Sequence, residues 1–293
     1  MAIRTWTFWF RLGLAAVTAG LAASWEVGSL LTLPTPAIVA PARPPAVDLP
    51  IETGDGLLLA ATYWPGRRAD APGLLLLHGN GSSRAAMRNN ASWLASRGYA
   101  VLTIDFRGHG QSSSAPHSFG LHESRDAAAA FAWLKRRQRN APVAVIGASL
   151  GGAAALLGAQ GPLPADAMVL QAVYPDIRHA IRNRIAATAT PAAAYLLEPL
   201  LSYQSWPRLG VGPGRLSPIA ALRHYRGPVL IVGGGEDRDT PPAETRAMFR
   251  AAPGRKSLWI VPGLGHARTA DISGADYKKR LLAFLRATIG DPR

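Results

Sequence analysis

Ser149 stands between two glycines at the spacing Gly147-x-Ser149-x-Gly151, and its neighbours set up one kind of chemistry. Upstream, Val143, Val145 and Ile146 suit a buried central strand; downstream, Ala153 to Leu157 suit a helix packed on the same sheet. A serine held where the chain reverses so sharply is pushed out of the sheet, and the residues two places to either side must lack bulk. Gly147 and Gly151 meet that demand. The helix expected from Leu150 onward begins with unpaired backbone N–H groups, so the N–H of Leu150 can donate to a developing oxyanion. The chemistry implied is acyl transfer through serine.

Such a serine needs a base, and the base needs an acid to orient it. The strand expected at Val229 to Val232 runs into Gly233-Gly234-Gly235-Glu236-Asp237-Arg238-Asp239-Thr240-Pro241-Pro242, with Thr240 as cap and Pro241 as first residue of a helix. An acid in that loop can reach a histidine from the next strand end. Asp237 is the first choice, with Asp239 and then Glu236 behind it. Of seven histidines only His266, in Pro262-Gly263-Leu264-Gly265-His266 after the last strand, follows the acid, and it is the expected base. His109 precedes Ser149 and sits in Asp105-Phe106-Arg107-Gly108-His109-Gly110-Gln111-Ser112, which reads as a structural turn. The apolar strand Leu74 to Leu77 ends in His78-Gly79-Asn80-Gly81, where the glycines let backbone approach a substrate. The backbone N–H of Asn80 is the expected second oxyanion donor.

A chain of 293 residues at 48% hydrophobic content can bury one large core, and α/β folds of this length are commonly single domains. The absence of cysteine excludes disulfides, thiolate metal sites and a cysteine nucleophile. The net charge of +14 is spread along the chain rather than interleaved with aromatics on one element, so it suits an anionic membrane surface better than nucleic acid. Residues 1–33 read as a signal peptide or membrane anchor: Arg4 and Arg11 flank Trp6, Phe8, Trp9 and Phe10, and no charge appears from Leu12 to Trp25. Ala19, Ala22 and Ala23 could serve a cleavage site. Residues 34–50 hold six prolines and read as a linker, and the catalytic domain is expected over 51–293, opening with a hairpin of Ile51 to Thr53 and Leu57 to Trp64. Ser82 or Ser83 should cap the next helix, and a helix is expected over Leu121 to Arg139. Between about 175 and 226 the strand–helix rhythm lapses into a stretch that suits a small helical lid, in which Glu198 is almost the only acid among several arginines. The closing helix is expected at Tyr277 to Ile289.

With His78-Gly79-Asn80-Gly81, Asp105-x-Arg107-Gly108-His109-Gly110-x-Ser112, Gly147-x-Ser149-x-Gly151, Gly234-x-x-Asp237 and Gly265-His266 in register, residues from about 51 to 289 resemble the α/β-hydrolase superfamily. Within it the chain is similar to the serine-aminopeptidase-like and Bem46-like hydrolases. The resemblance implies an α/β fold, an eight-stranded, mostly parallel sheet flanked by helices with a lid. It also implies Ser149, Asp237 and His266 as a triad acting on an acyl ester or thioester, and no metal or organic cofactor. The glycine-heavy acid loop departs from the family pattern. A peptidase or acyltransferase on the same triad, or a non-catalytic envelope binding protein, are the alternative readings. Small-molecule or lipid-like esters are the expected partners, nucleic acid is not, and the N-terminus implies membrane association facing outside the cytoplasm or export.

Overall fold

A computed structural model describes residues 2–268 and 274–292, with backbone alone for 2–8, so the side chains of Arg4, Trp6 and Phe8 lie outside the described residues. The strands are β1 (Thr35–Pro36), β2 (Val47–Glu52), β3 (Leu58–Trp64), β4 (Gly73–Leu77), β5 (Ala100–Ile104), β6 (His109–Gly110), β7 (Val143–Ala148), β8 (Ala167–Gln171), β9 (Val229–Gly234) and β10 (Lys256–Val261). The helices are α1 (Ala2–Leu31), α2 (Arg88–Ser96), α3 (Glu123–Arg137), α4 (Leu150–Leu156), α5 (Ile177–Thr188), α6 (Pro191–Ser202), α7 (Ser205–Leu209), α8 (Pro218–Leu222), α9 (Pro242–Ala251) and α10 (Ala275–Ile289).

Eight strands form one sheet in the order β10-β9-β8-β7-β4-β5-β3-β2, and only β3 runs against its neighbours. The central strands are buried at every position because both faces are covered, and apart from Thr103 of β5 and Gln171 of β8 they are apolar. Leu75 and Leu77 of β4 point to a core shared with α3, α4, α8 and α9, while Leu74 and Leu76 point to one shared with α2 and α10. The parallel strands therefore send their C-terminal loops to one edge, where sites form in open α/β sheets.

Several local details differ from expectation. The hairpin's first strand starts at Val47, four residues before Ile51; Pro50 is accommodated because β2 is the sheet edge, where a missing N–H costs nothing. Residues after α1 are not a free tether either: β1 pairs in parallel with β6, and His117 N donates to Thr32 O at 2.9 Å. Ser83 precedes a 3-10 turn at Arg84–Met87 without donating or accepting a side-chain cap bond, and α2 starts only at Arg88. Thr240 does not cap α9; its hydroxyl donates to Ala172 O at 3.3 Å and the helix begins at Pro242. The long middle helix runs over Glu123–Arg137, two residues shorter at each end than expected.

The turn after β5 is structural, as its glycines suggest. Buried Arg107 donates to Asp126 Oδ1 at 2.7 Å and to Asp55 Oδ2 at 2.8 Å, and Asp105 holds the Arg84 guanidinium and the N–H of Gln111. Gly110 adopts φ +53° where a Cβ would lie 2.2 Å from the Asp105 carboxylate. Three buried histidines meet here: the rings of His78 and His109 are 5.2 Å apart edge to face, and those of His109 and His117 stack at 3.9 Å. His78 Nε2 accepts from Phe106 N at 3.1 Å, so its proton is on Nδ1, which donates to Gly79 O at 2.7 Å.

Burial, then the neighbouring His109, pushes His78 down to about 3; burial also lowers His109 and His117. All three stay neutral when folded but take up a proton near pH 6.5 when unfolded, so their contribution to stability is complete above that pH and is lost as pH falls. Burial lowers His122 in the same way, while His179, raised by its hydrogen bond to Asp176, and the carboxyls of Asp126, pushed by burial up to about 6, and Glu244, also raised by burial, act in the opposite direction. The unfolding free energy in urea is expected to fall from pH 7.5 to 5.5, by up to about 1.4 kcal/mol per pH unit for each buried histidine. His117→Gln should flatten that slope by up to one proton, and a slope already flat in the native chain would contradict the neutral cluster.

Candidate active site

Ser149 is the turn residue between β7 and α4, with φ 47° and ψ −110°, a backbone state that costs energy for a side-chain-bearing residue and persists only where its surroundings enforce it. Enforcement comes from packing. A Cβ on Gly151 would lie 2.3 Å from the carbonyl oxygen of Leu77, and one on Gly147 would lie 2.6 Å from the N of Gly152. A third glycine, Gly152, was not singled out from the sequence, although a Cβ there would meet Val173 Cγ2 at 2.2 Å. Ser149 N donates to Gln171 O at 2.8 Å, which ties the turn to β8.

At the ends of β9 and β10, His266 Nδ1 lies 2.9 Å from Asp237 Oδ2. The carboxylate is an acceptor, so Nδ1 carries the proton and Nε2 is the basic nitrogen of the neutral ring. The other oxygen, Oδ1, accepts from the backbone N–H of Asp239 at 2.9 Å and of Thr240 at 2.7 Å. These two donors were not foreseen: they are backbone groups, and no residue type announces them. Asp237 is buried, whereas Asp239 is partly exposed and Glu236 exposed. Asp239 instead gives its carbonyl to Asn183 of α5 at 3.0 Å, which joins the acid loop to the lid.

Asn80 follows β4 and faces Ser149 across the loop: a Cβ on Gly79 would sit 3.7 Å from Ser149 Cβ, and Asn80, Ser149 and Leu150 line one cavity. Among the described residues, neither the Asn80 nor the Leu150 backbone N–H has an acceptor. His109 reaches the Asn80 side-chain amide at 3.3 Å through Nε2 while its Nδ1 donates to Arg107 O at 2.9 Å. Burial holds this ring neutral, so Nε2 accepts and the amide NH2 of Asn80 is the donor, an assignment made from hydrogen-bond balance.

The cavity has a volume of about 300 Å³ and is mostly apolar. Its walls include Tyr174, with Ile181 and Ile185 of α5 in the lid, and also Val27 and Leu31 of α1. The part played by α1 had no sequence signal, because an apolar N-terminal helix reads the same whether or not it touches the site. His266 and Asp237 are outside the lining. In the lid, buried Glu198 accepts from Arg178 at 3.0 Å and Arg182 at 2.8 Å, so the stretch is less open in charge than its composition suggests. Among the described residues no cluster of metal-ligand types is present.

The sequence model of the Alpha/beta hydrolase family matches residues 74–272, and the chain belongs to that family. An uncharacterized protein of Mycobacterium tuberculosis is 28% identical over 248 residues, which is 84% of this chain and 81% of that protein. Lysophosphatidylserine lipase ABHD12 of Danio rerio is 27% identical over 206 residues, covering 68% of this chain and 52% of the lipase. Among solved structures, the Pyrococcus furiosus esterase Pf2001 shares the fold at TM-score 0.71 and 23% identity, over 88% of this chain and 99% of that one. The Rhodococcus esterase RhEst1 matches at TM-score 0.57 and 18% identity, over 82% and 99% of the two chains.

The Ser149 turn depends on α4 touching β4. Gly151→Ala is expected to force the helix away from the Leu77 carbonyl at a cost on the order of 1–3 kcal/mol. Urea unfolding measures it, and unchanged stability would show that the contact gives way freely.

Proposed function

We propose that this protein is a serine hydrolase of carboxylic or thio esters, held at the membrane by α1. The observation that carries the reading is the pairing of a left-handed Ser149 turn with an Asp237–His266 hydrogen bond of 2.9 Å at the same sheet edge. In the mechanism, His266 Nε2 takes the Ser149 proton as Oγ attacks the ester carbonyl carbon. The N–H groups of Asn80 and Leu150 hold the resulting oxyanion. The imidazolium then protonates the leaving alcohol or thiol, and the acyl group stays on Ser149. Water, deprotonated by the same nitrogen, releases the acid and restores the serine. Asp237 keeps the Nδ1 proton in place and stabilises the imidazolium, and its clamp by two backbone N–H groups keeps it oriented.

The esterase and lipase relatives support an ester substrate, and an apolar cavity beside Ser149 suits an acyl group. An aminopeptidase reading is less well supported, because Glu198 is fully buried and already binds two arginines, so it is out of reach of a substrate amine. An acyltransferase would show ester product rising with added alcohol. The segment Trp9–Leu31 is long and apolar enough to cross a membrane, which supports an anchor or signal and an enzyme facing out of the cytoplasm.

A fluorophosphonate probe should label the native chain and not Ser149→Ala; a well-folded native chain that resists the probe would favour a non-catalytic binding protein. On a short acyl ester, His266→Ala is expected to lose a factor on the order of 10⁶, and Asp237→Asn about 10⁴. Asp239→Asn should stay within about tenfold of the native rate. A larger loss for Asp239→Asn than for Asp237→Asn would exchange their roles.

A further inference from the structure

The lid and the end of α1 form one unit. Ser24 Oγ donates to Leu200 O at 2.9 Å, Gln204 Nε2 donates to Ser24 O at 2.9 Å, and Arg208 donates to Trp25 O at 2.7 Å while stacking over the Trp25 ring at 3.8 Å. Gly28 makes room for this, since a Cβ there would lie 2.0 Å from Gln204 Oε1. Helix α6 is two-faced. Ala194, Glu198 and Ser202, four residues apart, are buried, whereas Leu196 is 76% exposed, Tyr195 67% and Leu200 41%, and Trp206 of α7 is 59% exposed beside them. A patch of this kind on a protein surface needs a partner.

The geometry points to a lipid bilayer as that partner: α6 lies in the membrane interface against α1, and the cavity behind it takes the acyl chain of a bilayer lipid. The depth follows from α1. Its apolar span Trp9–Leu31 is 23 residues, and along it Leu14, Val17 and Leu21 are all exposed. Measured from the middle of that span, Ser24 is about 6 Å along the axis and Gly28 about 12 Å. The hydrocarbon half-thickness is about 15 Å, so the lid meets α1 from about 9 Å below the headgroup boundary, where Leu200 bonds Ser24, to about 3 Å below it, where Gln204, just past α6, packs on Gly28, which is the depth to which an amphipathic helix sinks its apolar face. Trp25 and Arg208 are residue types that anchor at that level, and an amphipathic helix with Leu, Tyr and Trp on its outer face lies in that plane. Of the polar groups carried there, Gln204 and Arg208 are bonded to α1 and Arg178 and Arg182 to Glu198, while Glu26, about 9 Å from the middle of the span, is exposed and has to reach the headgroup level. Val27 and Leu31, on the same helix turns, are cavity wall, so one helix touches both lipid and substrate space. At about 300 Å³ the cavity is at the small end of the range of small-molecule sites. The acyl-chain half of the inference rests on the hydrolase reading; the depth of the lid does not.

The chain has no cysteine, so single cysteines report cleanly. Full-length Leu196→Cys and Leu200→Cys, spin-labelled and reconstituted in phosphatidylcholine–phosphatidylglycerol vesicles, should show collisions dominated by oxygen over a nickel chelate. Val17→Cys on α1 is the lipid reference and Arg246→Cys on α9 the aqueous one. Labels at 196 and 200 that behave like the one at 246 overturn the proposal. So do labels shielded from both reagents, which would place a second copy of the chain on α6. In a companion assay, Leu196→Glu combined with Leu200→Glu should lower the ratio of vesicle-borne long-chain ester turnover to soluble short-chain ester turnover at least tenfold. An unchanged ratio overturns the acyl-chain half. A native chain that neither turns over an ester nor takes the fluorophosphonate removes the hydrolase reading and that half together, while the spin-label depths still decide the docking.

Discussion

The contact of α4 with β4 is the constraint on which the site depends. Ser149 can hold φ 47° only because the helix after it is pressed against the strand beside it, with Gly151 beneath the Leu77 carbonyl and Gly152 against Val173. Any side chain at those positions would lift α4, relax the turn and lower Ser149 into the sheet. The same contact aims the first helical N–H, at Leu150, toward the cavity, so that the serine and one proposed oxyanion donor are positioned by a single packing event. The energy stored in the turn is supplied by the surrounding core, where β4 and β7 are buried on both faces.

A second layer of order comes from charge buried in the turn after β5. Arg107 lies between Asp126 and Asp55, and Asp105 holds Arg84, so that a loop rich in glycine keeps one shape. That loop carries His109, which meets the Asn80 side chain and stacks on His117, and it pairs through β6 with the strand that leaves α1. The backbone around Asn80 is therefore braced by a neutral histidine array rather than by an ion pair. Neutral rings suit this position, because a buried, unpaired cation there would cost desolvation energy.

The lid adds a third constraint. Asn183 joins α5 to the acid loop, Glu198 joins α5 to α6, and Gln204 with Arg208 joins α6 and α7 to α1. A chain of polar contacts thus runs from the Asp237 loop through the lid to the N-terminal helix, while the space it encloses is apolar. Polar groups in the frame and apolar groups in the space is an arrangement suited to holding a hydrocarbon chain next to a reactive polar head.

Much of this was legible in the residues. Runs of Val, Leu and Ile between glycine-rich turns mark the strands, and the family resemblance carried by those turns implies the parallel sheet; Gly147-x-Ser149-x-Gly151 marks a turn that only small residues permit. Those features are local, set by sterics and by burial patterns that repeat within a few residues. Cap chemistry was less legible: Thr240 and Ser83 are residue types that cap helices, yet the Thr240 hydroxyl bonds to Ala172 on another strand and Ser83 opens a 3-10 turn instead. The pairing of His266 with Asp237 rather than with Asp239 or Glu236 was a preference from spacing, and only the folded loop, with two backbone N–H groups gripping Asp237, distinguishes three acids within four residues. The docking of α1 on the lid was beyond sequence altogether. Contacts between residues 24–29 and 200–208 join segments about 180 positions apart, and neither a hydropathy pattern nor a motif encodes which surface an apolar helix will meet. By itself, then, the sequence determined the strands, the turn that holds the serine and the residue types available for chemistry, because these follow from short-range sterics and burial; tertiary structure decided which acid meets the histidine and which helices enclose the cavity, because those are distances between parts of the chain that only folding brings together.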